Sequence, residues 1–403
     1  MSRQPDWRLY ESYIHSVEHF ALRPPRIDPD VPLNYHPEVD DYAMSSGMAR
    51  TPGGRRWLAW FGNADNSQTV MLLGFSDDDG PVTEPHFIID PGFVPGGLHM
   101  SAVVGNLWCA PDGRLFCFFM QSVGHFDGRG GTWQSVCENP DTDEPAWSTP
   151  ERIWHGAALN KPTVLSDDTW LLPVALWGRN MFRLEDRHTR NIALSEFCQV
   201  NGLFTELDER RGSNVLASRD HGRHWEPRGT AVNPHKPIFD EPMVLERGDG
   251  SLLMYIRDRE GMLASESHDQ GWTWSTPQHL PWQCASARFL LRRLRSGAAL
   301  LVRHANADEP AVRSHMTAFI SRDDGGCWEG GLLLDERDRI SYPDGYQEDD
   351  GLIRVQYDRL RECGEILMAS FTEEDALAGR DVSGRIVLRQ PLVQSRSARL
   401  GLT

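Results

Sequence analysis

Ser218-Arg219-Asp220-His221-Gly222-Arg223-His224-Trp225, Ser267-His268-Asp269-Gln270-Gly271-Trp272-Thr273-Trp274 and Ser321-Arg322-Asp323-Asp324-Gly325-Gly326-Cys327-Trp328 share one grammar, Ser-x-Asp-x-Gly-x-x-Trp. The three boxes begin at 218, 267 and 321, so they are 49 and 54 residues apart. Each reads as a hairpin turn in which Ser and Asp bond to local backbone groups, Gly takes a positive φ and Trp packs over the turn. Ser76-Asp77-Asp78-Asp79-Gly80 is a fourth copy that has lost its Trp. Trp147-Ser148-Thr149-Pro150 repeats only the flank that follows the second full copy, Trp274-Ser275-Thr276-Pro277. The interval is that of one small antiparallel sheet with its connections.

Short apolar, β-rich runs lie between the boxes: Arg56–Phe61, Arg114–Phe119, Trp170–Ala175, Ser251–Ile256 and Ala298–Val302. Many follow a Gly-bearing turn, as at Gly113, Gly250, Gly297 and Gly351, which is the strand signal. Helical periodicity is confined to short pieces near Glu11–Phe20 and Glu373–Leu377. Repeated four-stranded sheets without a helical layer predict an all-β, six-bladed β-propeller over residues 42–392, with short extensions at both ends. A β-sandwich has no reason to repeat the same turn. No Gly/Ser-rich or charged linker divides the chain, so a single domain over residues 1–403 is expected.

A net charge of −17 argues against nucleic acid or an anionic membrane surface as partner, since both reward a basic face. No apolar run is long enough to span a bilayer and the first residues lack a secretory signal, so a cytoplasmic location is expected. The 7 cysteines are scattered without a CxxC pair and read as reduced, with neither a disulfide framework nor a zinc site; no metal and no cofactor are expected. Only Lys161 and Lys236 are lysines, leaving 39 of the 41 basic residues as arginine. In such a chain a retained lysine points to a charge or pKa that arginine does not copy.

The boxes resemble the Asp-box, or BNR, repeats of the sialidase superfamily, over roughly residues 42–392. The resemblance implies three arginines that clamp a substrate carboxylate, a Tyr nucleophile paired with a Glu, and an Asp acid/base. Asp240-Glu241 to Arg257 resembles the segment carrying the Glu and the second arginine. Arg313 stands where the third clamp arginine is expected, and Ser341-Tyr342-Pro343-Asp344-Gly345 at the nucleophile. Gln356-Tyr357-Asp358 resembles the strand whose acidic residue steadies the clamp. The first clamp arginine has no counterpart near Met44, and Arg50 is too close to the following turn to replace it. Carboxylate recognition is therefore open, and the chain is similar to the sialidase-like glycosidases rather than to established neuraminidases.

These residues lead to an exo-acting glycoside hydrolase with an oligosaccharide or glycoside substrate. Tyr342 is the expected nucleophile with Glu241 as its base, and Asp65 is the acid, with Asp40, Asp41 and Asp344 as rivals. Arg257 and Arg313 are expected to bind an acidic or polyhydroxylated sugar, with Asn160 and Lys161 on the rim and Asp344 and Asp358 nearby. His99 and His36 fall at blade entrances, where a His replaces a missing donor or serves as base. Arg292-Arg293-Leu294-Arg295 reads as a solvated face, and for Arg303-His304, just past a strand, reaching the mouth is only the lesser reading. Two other readings stay open: a lyase acting on a uronate-containing glycan, and a non-catalytic glycan-binding propeller.

Overall fold

The computed structural model describes residues 21–29, 41–66, 68–78, 80–94, 98–123, 130–178, 205–235 and 239–401. Six antiparallel sheets follow one another along the chain and form a ring, a six-bladed β-propeller. Blade I holds Met44–Arg50, Arg56–Gly62, Val70–Ser76 and Phe87–Asp90, with Arg26–Asp28 added at its outer edge. Blade II holds Leu98–Cys109, Leu115–Val123, Gly131–Cys137 and Glu151–His155, with Phe93–Val94 paired at its inner edge. Blade III is Thr163–Val164, Trp170–Leu176, Gly212–Ser218 and Glu226–Ala231. Blade IV is Met243–Glu246, Leu252–Asp258, Gly261–Ser267 and Gln278–His279. Blade V is Leu290–Arg293, Ala299–His304, Met316–Ser321 and Glu329–Asp335, and blade VI is Ile340–Gln347, Ile353–Arg359, Glu365–Phe371 and Val387–Gln394. The strand named first lines the axis. The inner strand of blade I packs between those of blades II and VI, which closes the ring.

The strands read as continuous apolar runs because both faces of a blade are covered by its neighbours. In blade I, Trp57, Ala59, Phe61, Met71 and Leu73 pack toward blade II against Leu107, Cys117 and Phe119. Leu58, Trp60 and Leu72 point the other way, onto Ile366, Met368 and Leu392 of blade VI. The period of two along a strand thus becomes the contact between three blades. Among the described residues no helix is long and apolar enough to cross a membrane.

The boxes are the turns between the third and fourth strands of blades III, IV and V. In each, the Ser Oγ donates to the Asp Oδ1 at 2.8 Å. The Gly N–H donates back to the Ser Oγ at 2.8, 2.9 and 2.8 Å, and the N–H four residues past the Asp donates to its Oδ1 at 2.9, 2.8 and 2.7 Å. Each box also rests on the preceding blade. A Cβ on Gly222 would come within 2.9 Å of the Phe116 ring, and one on Gly325 within 2.6 Å of Leu253, so glycine is required by space as well as by φ. Trp225 Nε1 donates to Gln134 at 2.7 Å and Trp328 Nε1 to Tyr255 at 3.1 Å, each across a blade boundary. The isolated flank at Ser148 keeps the geometry of Ser275: their Oγ atoms accept from Val136 N and Glu266 N at 3.0 and 2.9 Å. Blade VI replaces the box with a short helix, Glu373–Ala378, closed by a reciprocal Thr372/Asp375 cap.

A polar plug crosses the axis. Asp344 pairs with Lys161, and its Oδ2 also accepts from Met48 N at 2.8 Å. Its Oδ1 accepts from Asn106 Nδ2 at 3.2 Å and lies 3.5 Å from Arg288 Nη2. Arg288, 1% exposed, donates to Asn160 Oδ1, Ser46 O and Leu159 O at 2.8, 2.7 and 2.7 Å. Asn160 Nδ2 in turn donates to Glu241 O at 3.2 Å and Pro242 O at 2.9 Å. The plug divides the axis into two mouths: inner strands start at the first and end at the second.

Asp269→Ala removes acceptors used by Ser267, Thr273 N and Thr273 Oγ1. It should lower unfolding free energy by about 1–3 kcal/mol, measured by urea unfolding, whereas Asp78→Ala in the truncated copy should cost less than half as much.

Candidate active site

Tyr342 and Glu241 meet at the first mouth. Tyr342 Oη donates to Glu241 Oε1 at 2.7 Å, and Arg257 Nη1 donates to the same oxygen at 2.9 Å. The pair is nearly dry: Tyr342 is 7% and Glu241 1% exposed. Glu241 Oε2 is buried with no hydrogen-bond partner among the described residues. Both residues hold left-handed backbone, φ +43° at Glu241 and +56° at Tyr342. For non-glycine residues this costs about 1–3 kcal/mol each and persists only where surrounding structure enforces it. That structure is visible: Asn160 holds the carbonyls of Glu241 and Pro242, while a bulge between Ser341 and Asp344 carries Tyr342 out of register. Burial, followed by the charge of Glu241, raises the Tyr342 phenol above its ordinary pKa, against the opposing pull of Arg257 and Arg361.

Three arginines surround this pair. Arg257 Nε donates to Ser286 Oγ at 3.3 Å, and its guanidinium lies 5.4 Å from the Phe239 ring centre. Arg313 donates to Ser286 O at 2.8 Å and to Ser341 Oγ, next to Tyr342, at 3.2 Å. Its pKa is lowered by burial and then by the charges of Arg257 and Arg361, which places the three guanidinium groups together. Arg361 was not singled out in the sequence. Its guanidinium carbon sits 4.3 Å from the centre of the Tyr342 ring, and its Nε donates to Asp358 Oδ1 at 2.9 Å. Its Nη2 is buried without a hydrogen-bond partner among the described residues.

The place of Arg361 is informative. Its carbonyl accepts from Ala43 N at 2.8 Å, and Asp358 Oδ2 accepts from Ser45 N at 3.1 Å. These two contacts bracket Met44, so a guanidinium does stand where the sequence near Met44 offers none. It arrives from the turn after the second strand of blade VI. Arg50, at the other end of the Met44–Arg50 strand, is at the second mouth. One signal was available: Arg361 follows Asp358 by three residues at a strand end, but among 39 arginines it has no contrast.

Asp65 lies exposed in the turn between the second and third strands of blade I, and its charge acts on Tyr42, Tyr342 and Arg361. The structure thus brings together Tyr342, Glu241, Arg257, Arg313, Asp358 and Asp65. Asn160, Lys161 and Asp344 are corrections to the expected rim: at 2%, 7% and 1% exposure they belong to the axial plug, because their hydrogen bonds satisfy backbone and charge below the site. That pairing with Lys161 also removes Asp344 as a rival acid. Asp41 accepts from Ser397 N at 2.8 Å near the chain's end. Arg303 is held between the Trp282 and Phe319 rings, 5.3 and 4.7 Å from their centres, rather than reaching the mouth. His304 is buried with Nε2 2.9 Å from Ile340 O; burial lowers its pKa to about 4, so it is neutral. Arg292 and Arg293 are not a solvated face but line a cavity at the second mouth. His99 is in the Leu98–Cys109 strand, with its side chain outside the described part, and His36, Asp40 and Lys236 lie outside the described residues. Among the described residues no group of three or more His, Cys, Asp or Glu is placed to hold a metal ion.

Beneath Glu241, Asp240 is fully buried; its Oδ2 is 3.4 Å from Ser213 Oγ, and its Oδ1 has no partner among the described residues. Burial, with the charges of Asp258 and Glu241, pushes its carboxyl up to about 7, against the Ser213 bond and Arg257. Against an unfolded value of about 3.9, the folded protein holds this proton where the unfolded chain has lost it. This group therefore destabilises the fold progressively as pH rises from about 4 through 7. Asp240→Asn should raise the melting temperature more at pH 8 than at pH 5, read by thermal unfolding at both.

The comparisons with known proteins agree with this architecture. No curated protein matches the chain in sequence. Among solved structures it is similar to the Hadza microbial sialidase Hz136, at 17% identity and a TM-score of 0.59, covering 83% of this chain and 66% of that one. The leech intramolecular trans-sialidase complexed with 2,7-anhydro-Neu5Ac aligns at 11% identity and a TM-score of 0.60, covering 89% and 71%. A protein of unknown function from Dyadobacter fermentans DSM 18053 aligns at 15% identity and a TM-score of 0.57, covering 82% and 94%. At such identities the likeness is one of fold. The family described as a BNR repeat-like domain matches residues 57–355, and with that match across most of the propeller the chain belongs to the BNR-repeat, sialidase-like superfamily.

Proposed function

We propose that the protein is an exo-acting, retaining glycoside hydrolase whose substrate sugar carries a carboxylate beside the anomeric carbon. The observation that carries this reading is the dry Tyr342–Glu241 pair, 2.7 Å apart, set among three arginines. A neutral phenol is a suitable nucleophile for an anionic sugar, because a carboxylate in its place would repel the substrate. Tyr342 Oη attacks the anomeric carbon as its proton passes to Glu241, and Asp65 protonates the departing glycosidic oxygen. In the second half-reaction Asp65 takes a proton from water, the water oxygen attacks the same carbon, and Glu241 returns the proton to the phenol oxygen as the Tyr–sugar bond breaks.

Arg257 has two tasks in this reading. Its Nη1 holds the Glu241 carboxylate, and with Arg313 and Arg361 it presents N–H groups to the substrate carboxylate. Arg361 supplies the clamp position that the sequence leaves vacant near Met44, and Asp358 fixes its orientation. The strained backbone at Tyr342 and Glu241 fits a preformed site in which the nucleophile is already aimed.

The test uses aryl glycosides of a 2-keto-3-deoxy sugar acid, of a uronic acid and of neutral hexoses. The first should be turned over with retention. Tyr342→Phe should lower kcat about 10³-fold or more with binding retained. Unchanged turnover would remove Tyr342 from the mechanism, and an ultraviolet-absorbing unsaturated product would instead make the protein a lyase. Arg361→Met should raise KM for the sugar-acid substrate about 10–100-fold and leave any neutral substrate unaffected. Equal loss on both would assign Arg361 a packing role.

A further inference from the structure

The second mouth holds a cavity of about 350 Å³ where the inner strands end. Its lining includes Arg50, Lys161, Arg292, Arg293 and Arg295, with Trp108 on one wall, and contains no carboxylate among the described residues. In a chain of net charge −17 this is a local reversal of sign. Two rim arginines are paired from outside the cavity, Arg293 with Asp324 at 2.6 Å and Arg295 with Asp349, whereas Arg50 lies 3.9 Å from Glu348.

The charges at the inner wall are neutralised only in part. Lys161, Arg288 and Arg292 share the single carboxylate of Asp344: Lys161 is in contact with it, Arg288 is 3.5 Å away, and Arg292 feels it only through space. The hydrogen bond of Arg292 among the described residues is to a neutral acceptor, Pro162 O, at 2.9 Å. Burial lowers the pKa of Lys161 to about 8; Asp344 opposes that, and the charges of Arg292 and Arg288 add to it. Two buried cations, Lys161 and Arg288, with the partly exposed Arg292 beside them, around one carboxylate leave an excess of positive charge, and such an excess at the inner wall of a cavity calls for an anion.

We propose that the cavity at the second mouth is a binding site for a small oxyanion, a phosphate-type or carboxylate group, held by Arg292 with Lys161 and Arg50. Arg292 supplies the planar fork, Lys161 a point charge at the inner wall, and Trp108 with Leu290 and Leu294 offers an apolar surface for a compact organic part. The plug of Asp344, Arg288 and Asn106 separates this site from the Tyr342 mouth. The proposal does not depend on the glycosidase reading.

The test is isothermal titration calorimetry of the whole protein at constant ionic strength, with sulfate as the tetrahedral probe and malonate as the carboxylate probe. Their charges stay constant between pH 7 and 9, so a pH effect belongs to the protein. An Arg361→Gln background silences anion binding at the first mouth. One saturable site should remain there for at least one probe, and adding Arg292→Gln should weaken it at least about tenfold. Affinity should also fall as pH rises through 8, because the anion favours protonated Lys161. Arg50→Gln, at a partly exposed position, should weaken binding in the same direction and serves if Arg292→Gln does not fold. No saturable heat from either probe in the Arg361→Gln background, or binding indifferent to Arg292→Gln and Arg50→Gln, overturns the proposal.

Discussion

One buried carboxylate ties the ring together. Asp344, on the inner strand of blade VI, receives bonds from Met48 of blade I, Asn106 of blade II and Lys161 leading into blade III, and Arg288 brings in blade V. Asn160 then passes the connection to Glu241 and Pro242 at the entrance of blade IV. The need for such a centre is general: inner edge strands point unpaired N–H and C=O groups at the axis, and buried groups of that kind must find partners. Packing apolar side chains there would leave Ser46 O, Leu159 O and Glu241 O unsatisfied. A buried ion pair gives little net stability over an apolar replacement, yet removing one partner costs about 3–5 kcal/mol. Its contribution is registry, because each member fits only one alignment of the strands. Gly47 marks how tight that alignment is: a Cβ there would fall 2.3 Å from Asn106 Oδ1.

The same centre explains why Tyr342 and Glu241 keep backbone conformations that their residue types disfavour. Both are at the first mouth, one layer above the plug, and both are joined to it within a few bonds: Glu241 through Asn160, and Tyr342 through Asp344 two residues along its strand. Arg288 also lies 5.7 Å from the centre of the Tyr342 ring. The strain at the pair is thus borne by contacts underneath it. The surplus of positive charge that keeps Arg288 and Lys161 on Asp344 emerges on the other side as the arginine-lined cavity. Two mouths of opposite construction share one support.

Away from the axis, stability is local and repetitive. Each box closes its own hairpin and leans on the blade before it, so the outer ring is a chain of neighbour contacts rather than a single core. Blade VI, whose box is replaced by the capped helix Glu373–Ala378, has the same connection solved with different residues. That substitution is why the repeat, legible in blades III to V and partial in blades I and II, is invisible in blade VI.

The sequence by itself determined the propeller, because its turns depend on residue types that act over eight positions: Ser, Asp and Gly bond to one another within the box, and Trp closes it against its surroundings. It also determined which residues are candidates at the first mouth, since Glu241, Arg257, Arg313 and Tyr342 stand in a legible order along the chain. Depth along the axis was not legible. Asp344 shares the inner strand of Tyr342, and Asn160 and Lys161 lead into the inner strand of blade III, so only the register of six strands decides whether a side chain at that height meets solvent or a buried carboxylate. Nor was Arg361 legible. The chain closes into a ring, so the turn at residues 360–362 comes to rest beside Ala43 and Ser45, about 315 positions away. A guanidinium is equally effective from either strand, and tertiary structure alone decided which strand supplied it.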